Sequence, residues 1–273
     1  MQIERTIGFP EPGDPGLFWL GQAGFWIESG DHRILIDPYL SDSLARKYAG
    51  KKNPHIRMEP PIIRPENLPC PDLVLITHAH TDHLDADSLA PVFQKYPNVP
   101  FVVPFAHEAI ARERIGVKAK LILVDAGDRL APLDDLSLDV FPAAHETVAK
   151  DDADHHLFLG YGITTNRFRI YHSGDCVPFD GLEALVNRLL PDIALLPVNG
   201  RCAERKADGV PGNFTLEEAI SLSAKSRFLV PHHFGMFDFN TIDPVEIDAK
   251  AETSPKGSQI IRPNLGESLR ILN

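Results

Sequence analysis

Six consecutive positions, His78-Ala79-His80-Thr81-Asp82-His83, carry three imidazoles and a carboxylate directly after the apolar run Leu73 to Thr77. An apolar run of that length reads as a buried strand, and groups delivered at its C-terminal end converge on one place. Alternate residues leave a strand on the same side, so His78 and His80 offer two imidazoles to one metal ion. Asp82 and His83 lie in the turn beyond and offer a carboxylate and an imidazole to a second ion. Imidazole with carboxylate suits borderline cations, zinc first, with manganese or iron as alternatives.

Two ions need more ligands, and other strand ends supply them. His145 follows the strand Leu136 to Ala143 and would complete a three-histidine site with His78 and His80. Asp175, in Tyr171-His172-Ser173-Gly174-Asp175, follows the strand Phe168 to His172, and its carboxylate is suited to bridging two ions. His232 and His233 follow the strand Phe228 to Pro231, and one of them would finish the second site with Asp82, His83 and Asp175. Each alone resembles an ordinary strand-end polar residue; together they put a ligand at the end of four separate strands.

Two cations so held bring a shared water within reach of deprotonation near neutral pH and polarise a carbonyl or phosphoryl oxygen. Asp82 is expected to orient that water as well as bind metal, and to pass a proton to the leaving group. Asp37, ending the strand Ile34 to Ile36, is the candidate for fixing imidazole tautomers, with His172 expected to support Asp175. Beyond the strand Ile193 to Val198, Asn199 and Arg201 are candidates for the substrate, Arg201 by bidentate pairing with a phosphate or carboxylate. His156, beside His155 at the start of the strand Leu157 to Ile163, is a third candidate, as an oxyanion donor or pocket wall.

The elements that must position these groups follow from patterning. Leu17 to Leu20, Gly24 to Glu28 and Ile34 to Tyr39 read as an antiparallel meander with a turn at Ser29-Gly30-Asp31. Leu40 to Leu68 is rich in Pro, Lys and Asn and reads as a long loop, a length that is usually functional. Further strands are expected at Phe101 to Val103, Leu121 to Val124, Gln259 to Arg262 and Ser268 to Leu272. Helices are expected over Ala106 to Ile115, Gly181 to Leu190, Thr215 to Ala224 (opened by the capping-box pair Thr215 and Glu218) and Pro244 to Glu252. Strands come first and then alternate with helices, twice over. Two sheets packed face to face with helices outside satisfy that order, within a single domain over 1–273.

The bulk properties narrow the substrate. The 273 residues are 43% hydrophobic and 24% charged, and mean hydropathy is -0.13, ordinary values for a globular enzyme. A net charge of -11 repels nucleic acid and anionic membranes, so a small molecule is expected, caught if anionic by a local basic group. Cys70, Cys176 and Cys202 are odd in number and lack C-x-x-C spacing, which fits a reducing compartment. Met1 to Gly13 is polar, and no apolar run approaches the roughly 20 residues needed to span a bilayer. A cytoplasmic protein, compatible with a homo-oligomer, is expected.

In motif order, His78-Ala79-His80-Thr81-Asp82-His83-Leu84-Asp85, His145, Ser173-Gly174-Asp175 and Pro231-His232-His233 resemble the metallo-β-lactamase superfamily. Phe18 to Trp26, Tyr171 to Asp175, Val198-Asn199-Gly200-Arg201 and Gly212-Asn213-Phe214-Thr215 with Glu218-Ala219 are similar to its L-ascorbate-6-phosphate lactonase-like branch. So are Met236-Phe237 and Asn240, and the similarity runs from about Gly16 to Asp243. The resemblance implies an αββα sandwich of two mixed sheets with helices on the outer faces. It implies that His233, two residues after Pro231, is the ligand, and that His232 is a neighbour. The lactonase pattern lacks a histidine at the place of His145, which this chain has, so a full two-ion centre is expected. The function so implied is hydrolysis of a small anionic lactone or ester. A phosphodiesterase or phospholipase-like hydrolase is the nearest alternative, ahead of a diiron redox protein or a metal-binding protein without catalysis.

Overall fold

The computed structural model describes residues 1–253 and 257–272. The chain falls into two compact units. The first comprises residues 1–123, 236–239 and 263–273, and the second residues 124–235 and 240–262.

The strands of the first unit are β1 (Gln2–Ile7), β2 (Gly16–Gly21), β3 (Gly24–Glu28), β4 (Arg33–Ile36), β5 (Leu73–Leu75), β6 (Pro100–Pro104) and β7 (Lys120–Val124), which ends at the boundary. Those of the second are β8 (Arg129–Leu133), β9 (Leu136–Pro142), β10 (Leu159–Thr164), β11 (Arg169–His172), β12 (Ile193–Pro197), β13 (Phe228–His232) and β14 (Gln259–Ile260). β15 (Glu267–Leu272) returns to the first. The sheet orders are β1-β15-β2-β3-β4-β5-β6-β7 and β14-β13-β12-β11-β10-β9-β8.

Both sheets are mixed, as expected, and mixed in the same way. The meander β2-β3-β4 is antiparallel, whereas β4, β5 and β6 are parallel. β8 to β11 are likewise antiparallel neighbours, whereas β11 to β14 run parallel. Parallel strands end at one edge of a sheet, so the residues that follow β4 and β5 share an edge of the first sheet, and those that follow β11 and β13 share an edge of the second.

Burial explains the parallel halves. β5 and β12 are buried throughout and read LVL and IALLP, continuous apolar runs rather than alternating ones. In the first unit Phe18, Trp26, Leu35, Val74, Ile76, Leu89, Phe101 and Val103 form one core cluster.

Helices follow β4, β5, β6, β11, β12 and β13: α1 (Ser43–Lys47), α2 (Ala86–Lys95), α3 (Glu108–Ile115), α4 (Leu182–Leu189), α5 (Ala203–Ala207), α6 (Leu216–Leu222) and α7 (Pro244–Thr253). The expected capping box opens α6, with the Thr215 hydroxyl accepting from Glu218 N–H and the Glu218 carboxylate accepting from Thr215 N–H. Outside the segment Leu40 to Leu68, four elements escape the patterning. β1 has mostly exposed residues and is held by register with β15 from the far end of the chain. α2 contains Pro91, a residue that reads as a helix breaker. β8 is an edge strand of mixed burial, and α5 has only five residues. The expected loop over Leu40 to Leu68 contains α1 and a 3-10 turn at Pro65–Asn67. Among the described residues no helix is long and apolar enough to cross a membrane.

Candidate metal centre

In the first unit the ligand run leaves the end of β5 and is braced from beneath by Asp37, which follows β4. Asp37 is fully buried and adopts a left-handed backbone, φ 42°, a strained conformation that turns the chain at the strand end. Three donors meet its carboxylate. Thr77 N–H donates to Oδ1 at 2.9 Å, Thr77 Oγ1 to Oδ2 at 2.5 Å, and His83 Nδ1 to Oδ2 at 2.7 Å. A carboxylate on Nδ1 holds the proton there and makes Nε2 of His83 the lone-pair nitrogen. Thr77 gives its one hydroxyl proton to Asp37, so Oγ1 accepts from His78 Nδ1 at 3.0 Å and selects the same tautomer in His78. The rings of His78 and His83 lie 4.0 Å apart, and those of His78 and His80 4.6 Å.

Two further residues hold this run. Gln22, in the tight turn between β2 and β3 with φ 50°, donates from Nε2 to Asp82 Oδ2 at 2.7 Å. Arg114, on α3, donates to the carbonyls of Ala79 and Leu84 at 2.7 and 3.0 Å, clamping both ends of the loop. Neither Gln22, Thr77 nor Arg114 was assigned a role from sequence. Gln22 and Thr77 carry a signal, since each is the polar residue of a conspicuous run, Gly21-Gln22-Ala23-Gly24 and Leu73 to Thr77. Arg114 carries none.

The second unit brings together His145, Asp175 and His233. Asp175 Oδ2 lies 3.8 Å from His145 Nε2 and 3.3 Å from His233 Nε2. The loops carrying His145 and Asp175 are tied, because Val177 N–H donates to Ala144 O at 2.8 Å and Ala144 N–H to Cys176 Sγ at 3.4 Å. Burial pushes the Cys176 thiol up to about 12, so it remains a protonated packing residue.

Strand geometry distinguishes the adjacent histidines. His232 is the last residue of β13; it is fully buried, and its ring stacks on His172 at 4.9 Å and 20°. His233 follows in a left-handed conformation, φ 62°, which carries its ring to Asp175. His172 Nδ1 accepts from Gly174 N–H at 3.1 Å, where Gly174 has φ 60°, and so holds the loop that carries Asp175.

The other sequence candidates lie differently. Arg201 forms a fork with Glu218, Nη1 to Oε2 at 2.6 Å and Nη2 to Oε1 at 2.7 Å, and also donates to Asn213 O. The bidentate geometry offered to a substrate anion is thus engaged within the chain. Asn199 is buried in a ladder in which Asn213 Nδ2 donates to its Oδ1 and its own Nδ2 donates to Asn240 Oδ1. His156 pairs through Nδ1 with Asp125 Oδ1 at 2.8 Å.

The protein therefore has two His/Asp clusters, and all seven residues, His78, His80, Asp82, His83, His145, Asp175 and His233, belong to potential metal-ligand sets. The chemistry fits a divalent cation. A buried carboxylate such as Asp175 is costly without a compensating charge, and imidazoles with oriented Nε2 lone pairs are ready ligands.

Residues 32–234 match the Beta-lactamase superfamily domain. A UPF0173 metal-dependent hydrolase of Caldivirga maquilingensis is 30% identical over 231 residues, covering 84% of this chain and 86% of that one. This chain belongs to the UPF0173 metal-dependent hydrolases of the β-lactamase superfamily. The metallo hydrolase Igni18 of Ignicoccus hospitalis has the same fold, with a TM-score of 0.69 at 21% identity over 95% of this chain and 99% of that one. So does the isothiocyanate hydrolase from Delia radicum gut bacteria, with a TM-score of 0.74 at 18% identity, covering 94% and 98%. The α/β fold of two mixed sheets is the metallo-β-lactamase fold expected from the motifs.

Proposed function

We propose that the two clusters complete one another as a two-ion centre that hydrolyses a small anionic lactone or ester. In this reading His78, His80, His145 and Asp175 serve one ion, and Asp82, His83 and His233 the other, with Asp175 shared. The observation that carries it is Asp175, whose Oδ2 neighbours Nε2 of His145 and of His233, one member of each ligand set. Zinc matches the donor types best, with manganese and iron(II) as the alternatives.

Ions held by these residues would supply Lewis acidity, polarising the acyl carbonyl and easing deprotonation of water. The chain's own residues do the rest. Asp37 and Thr77 hold His78 and His83 in one tautomer and one orientation. Gln22 holds one oxygen of Asp82, directing that carboxylate to orient the attacking water and accept its proton. As the water oxygen bonds to the acyl carbon and the acyl C–O bond breaks, the same carboxylate returns the proton to the departing alkoxide.

The lactone is favoured over the phosphodiester by the likeness of Phe18 to Trp26 and Tyr171 to Asp175 to the lactonase-like branch. A zinc- or manganese-loaded preparation, with metal content measured, is assayed on γ-butyrolactone-γ-carboxylate, bis-p-nitrophenyl phosphate and an aryl isothiocyanate. Turnover of the lactone is expected. Robust turnover of the diester or the isothiocyanate with none of the lactone overturns the proposal.

A further inference from the structure

If the substrate is anionic, something must recognise its charge, and Arg201 is held by Glu218. The first unit offers another cation. The segment after β4, which sequence marks only as a long loop, is fastened at many points. Arg57 Nη1 donates to the carbonyls of Tyr39 and Ser41, and its guanidinium lies 5.2 Å over the Tyr39 ring. Ser43 Oγ donates to Asp85 Oδ1 at 2.8 Å, and Met58 N–H to Met236 O at 2.9 Å. His55 is wedged among rings, stacked on Tyr48 at 4.3 Å and edge-on to Phe237 and Phe239 at 5.0 and 4.8 Å. The His55 backbone is left-handed, φ 53°, and its Nδ1 lies 2.7 Å from Asn53 O, so the wedge is set by backbone and side chain alike.

Lys47 projects from this fastened wall. It ends α1, its Nζ lies 5.2 Å over the Tyr48 ring, and it donates to Thr81 Oγ1 at 3.5 Å. Thr81 stands between His80 and Asp82, so the ammonium sits on the edge of the ligand run itself. An ammonium carries three N–H donors, and one of them is directed at Thr81. Tyr48 holds the cation by its ring face, and His55 holds Tyr48, an arrangement that positions a flexible lysine without neutralising it.

We infer that Lys47 is the substrate-binding residue that recognises the anionic group, a carboxylate or phosphate, at the His80–Asp82 edge of the centre. Its substrate assignment rests on the hydrolytic reading above; the anion site itself does not.

Two measurements separate the two. The first compares γ-butyrolactone-γ-carboxylate with unsubstituted γ-butyrolactone in the wild type, Lys47→Ala and Lys47→Arg. The preference in kcat/KM for the anionic lactone falls about tenfold in Lys47→Ala, through KM, and returns in Lys47→Arg. The second measures inorganic phosphate binding to the metal-loaded proteins by calorimetry, which needs no turnover. Kd rises about tenfold in Lys47→Ala and recovers in Lys47→Arg. Phosphate binding sensitive to Lys47 with neither lactone hydrolysed sinks the lactone reading and keeps the anion site. An unchanged phosphate Kd and an unchanged lactone preference in Lys47→Ala overturn the inference.

Discussion

The two units meet the same demand, holding imidazoles and carboxylates at strand ends, in opposite ways. In the first, four ligand-type residues leave one strand within six positions, and the control lies beneath them: Asp37 and Thr77 grip the Nδ1 side of His78 and His83. In the second, three residues come from three separate loops, and the carboxylate lies on the opposite side of the rings, with Asp175 facing Nε2 of both histidines. A contiguous cluster needs tautomer control because its geometry is already local. A dispersed cluster needs its loops tied, which the Val177–Ala144 and Ala144–Cys176 contacts do.

The sharpest way to break this contrast is at Asp175. Asp175→Asn should remove the ligand proposed to be shared and lower hydrolysis about a thousandfold, with metal stoichiometry by elemental analysis falling in parallel. Retention of full metal content would show that the dispersed cluster is not organised around this carboxylate. Thr77→Val probes the other unit. It removes the hydroxyl between Asp37 and His78, and metal affinity in a chelator competition should weaken about 10–100-fold, with Thr77→Ser restoring it.

Gln22→Leu should have a smaller effect, about tenfold in kcat with KM little changed, since it removes a hydrogen bond that orients Asp82 without removing a ligand. A change confined to KM would place Gln22 at the substrate instead.

The smallest effect is expected at Arg201. Hydrogen bonds from Arg201 hold the Glu218 carboxyl below its usual range. A depressed carboxylate stabilises the fold at pH above its unfolded value, and that contribution is lost as pH falls through the folded value. Both side chains are partly exposed, 41% for Arg201 and 30% for Glu218, so Arg201→Met should cost only ~0.5–1 kcal/mol at neutral pH. The gap in melting temperature between variant and wild type should close in acid. A tenfold rise in KM for the anionic lactone, with no change in stability, would return Arg201 to the substrate and weaken the case for Lys47.

Much of the architecture is legible in the chain because its signals are local. The parallel strands are apolar runs, α6 announces itself through Thr215 and Glu218, and the meander through Ser29-Gly30-Asp31. β1 and β8 are not legible, since a strand of mixed burial exists only by pairing with its neighbour, and β1 pairs with the opposite end of the chain. The ligand run is legible for the same reason that β5 is: spacing within six residues is a local property.

Sequence alone determined which chemistry this protein commands. Imidazole and carboxylate donors at strand ends are a matter of residue type and spacing, and no packing changes what they bind. Only the tertiary structure decided which of those polar groups are at work and which are engaged elsewhere. It directs Arg201 to Glu218 and buries Asn199 among asparagines. It turns His232 into the core and His233 toward Asp175, and brings Gln22, Arg114 and Lys47 to the ligand run. The physical reason is that a hydrogen bond or ion pair depends on a partner's position, and these partners are distant in sequence: Gln22 and Asp82 are 60 residues apart, Arg114 and Ala79 35.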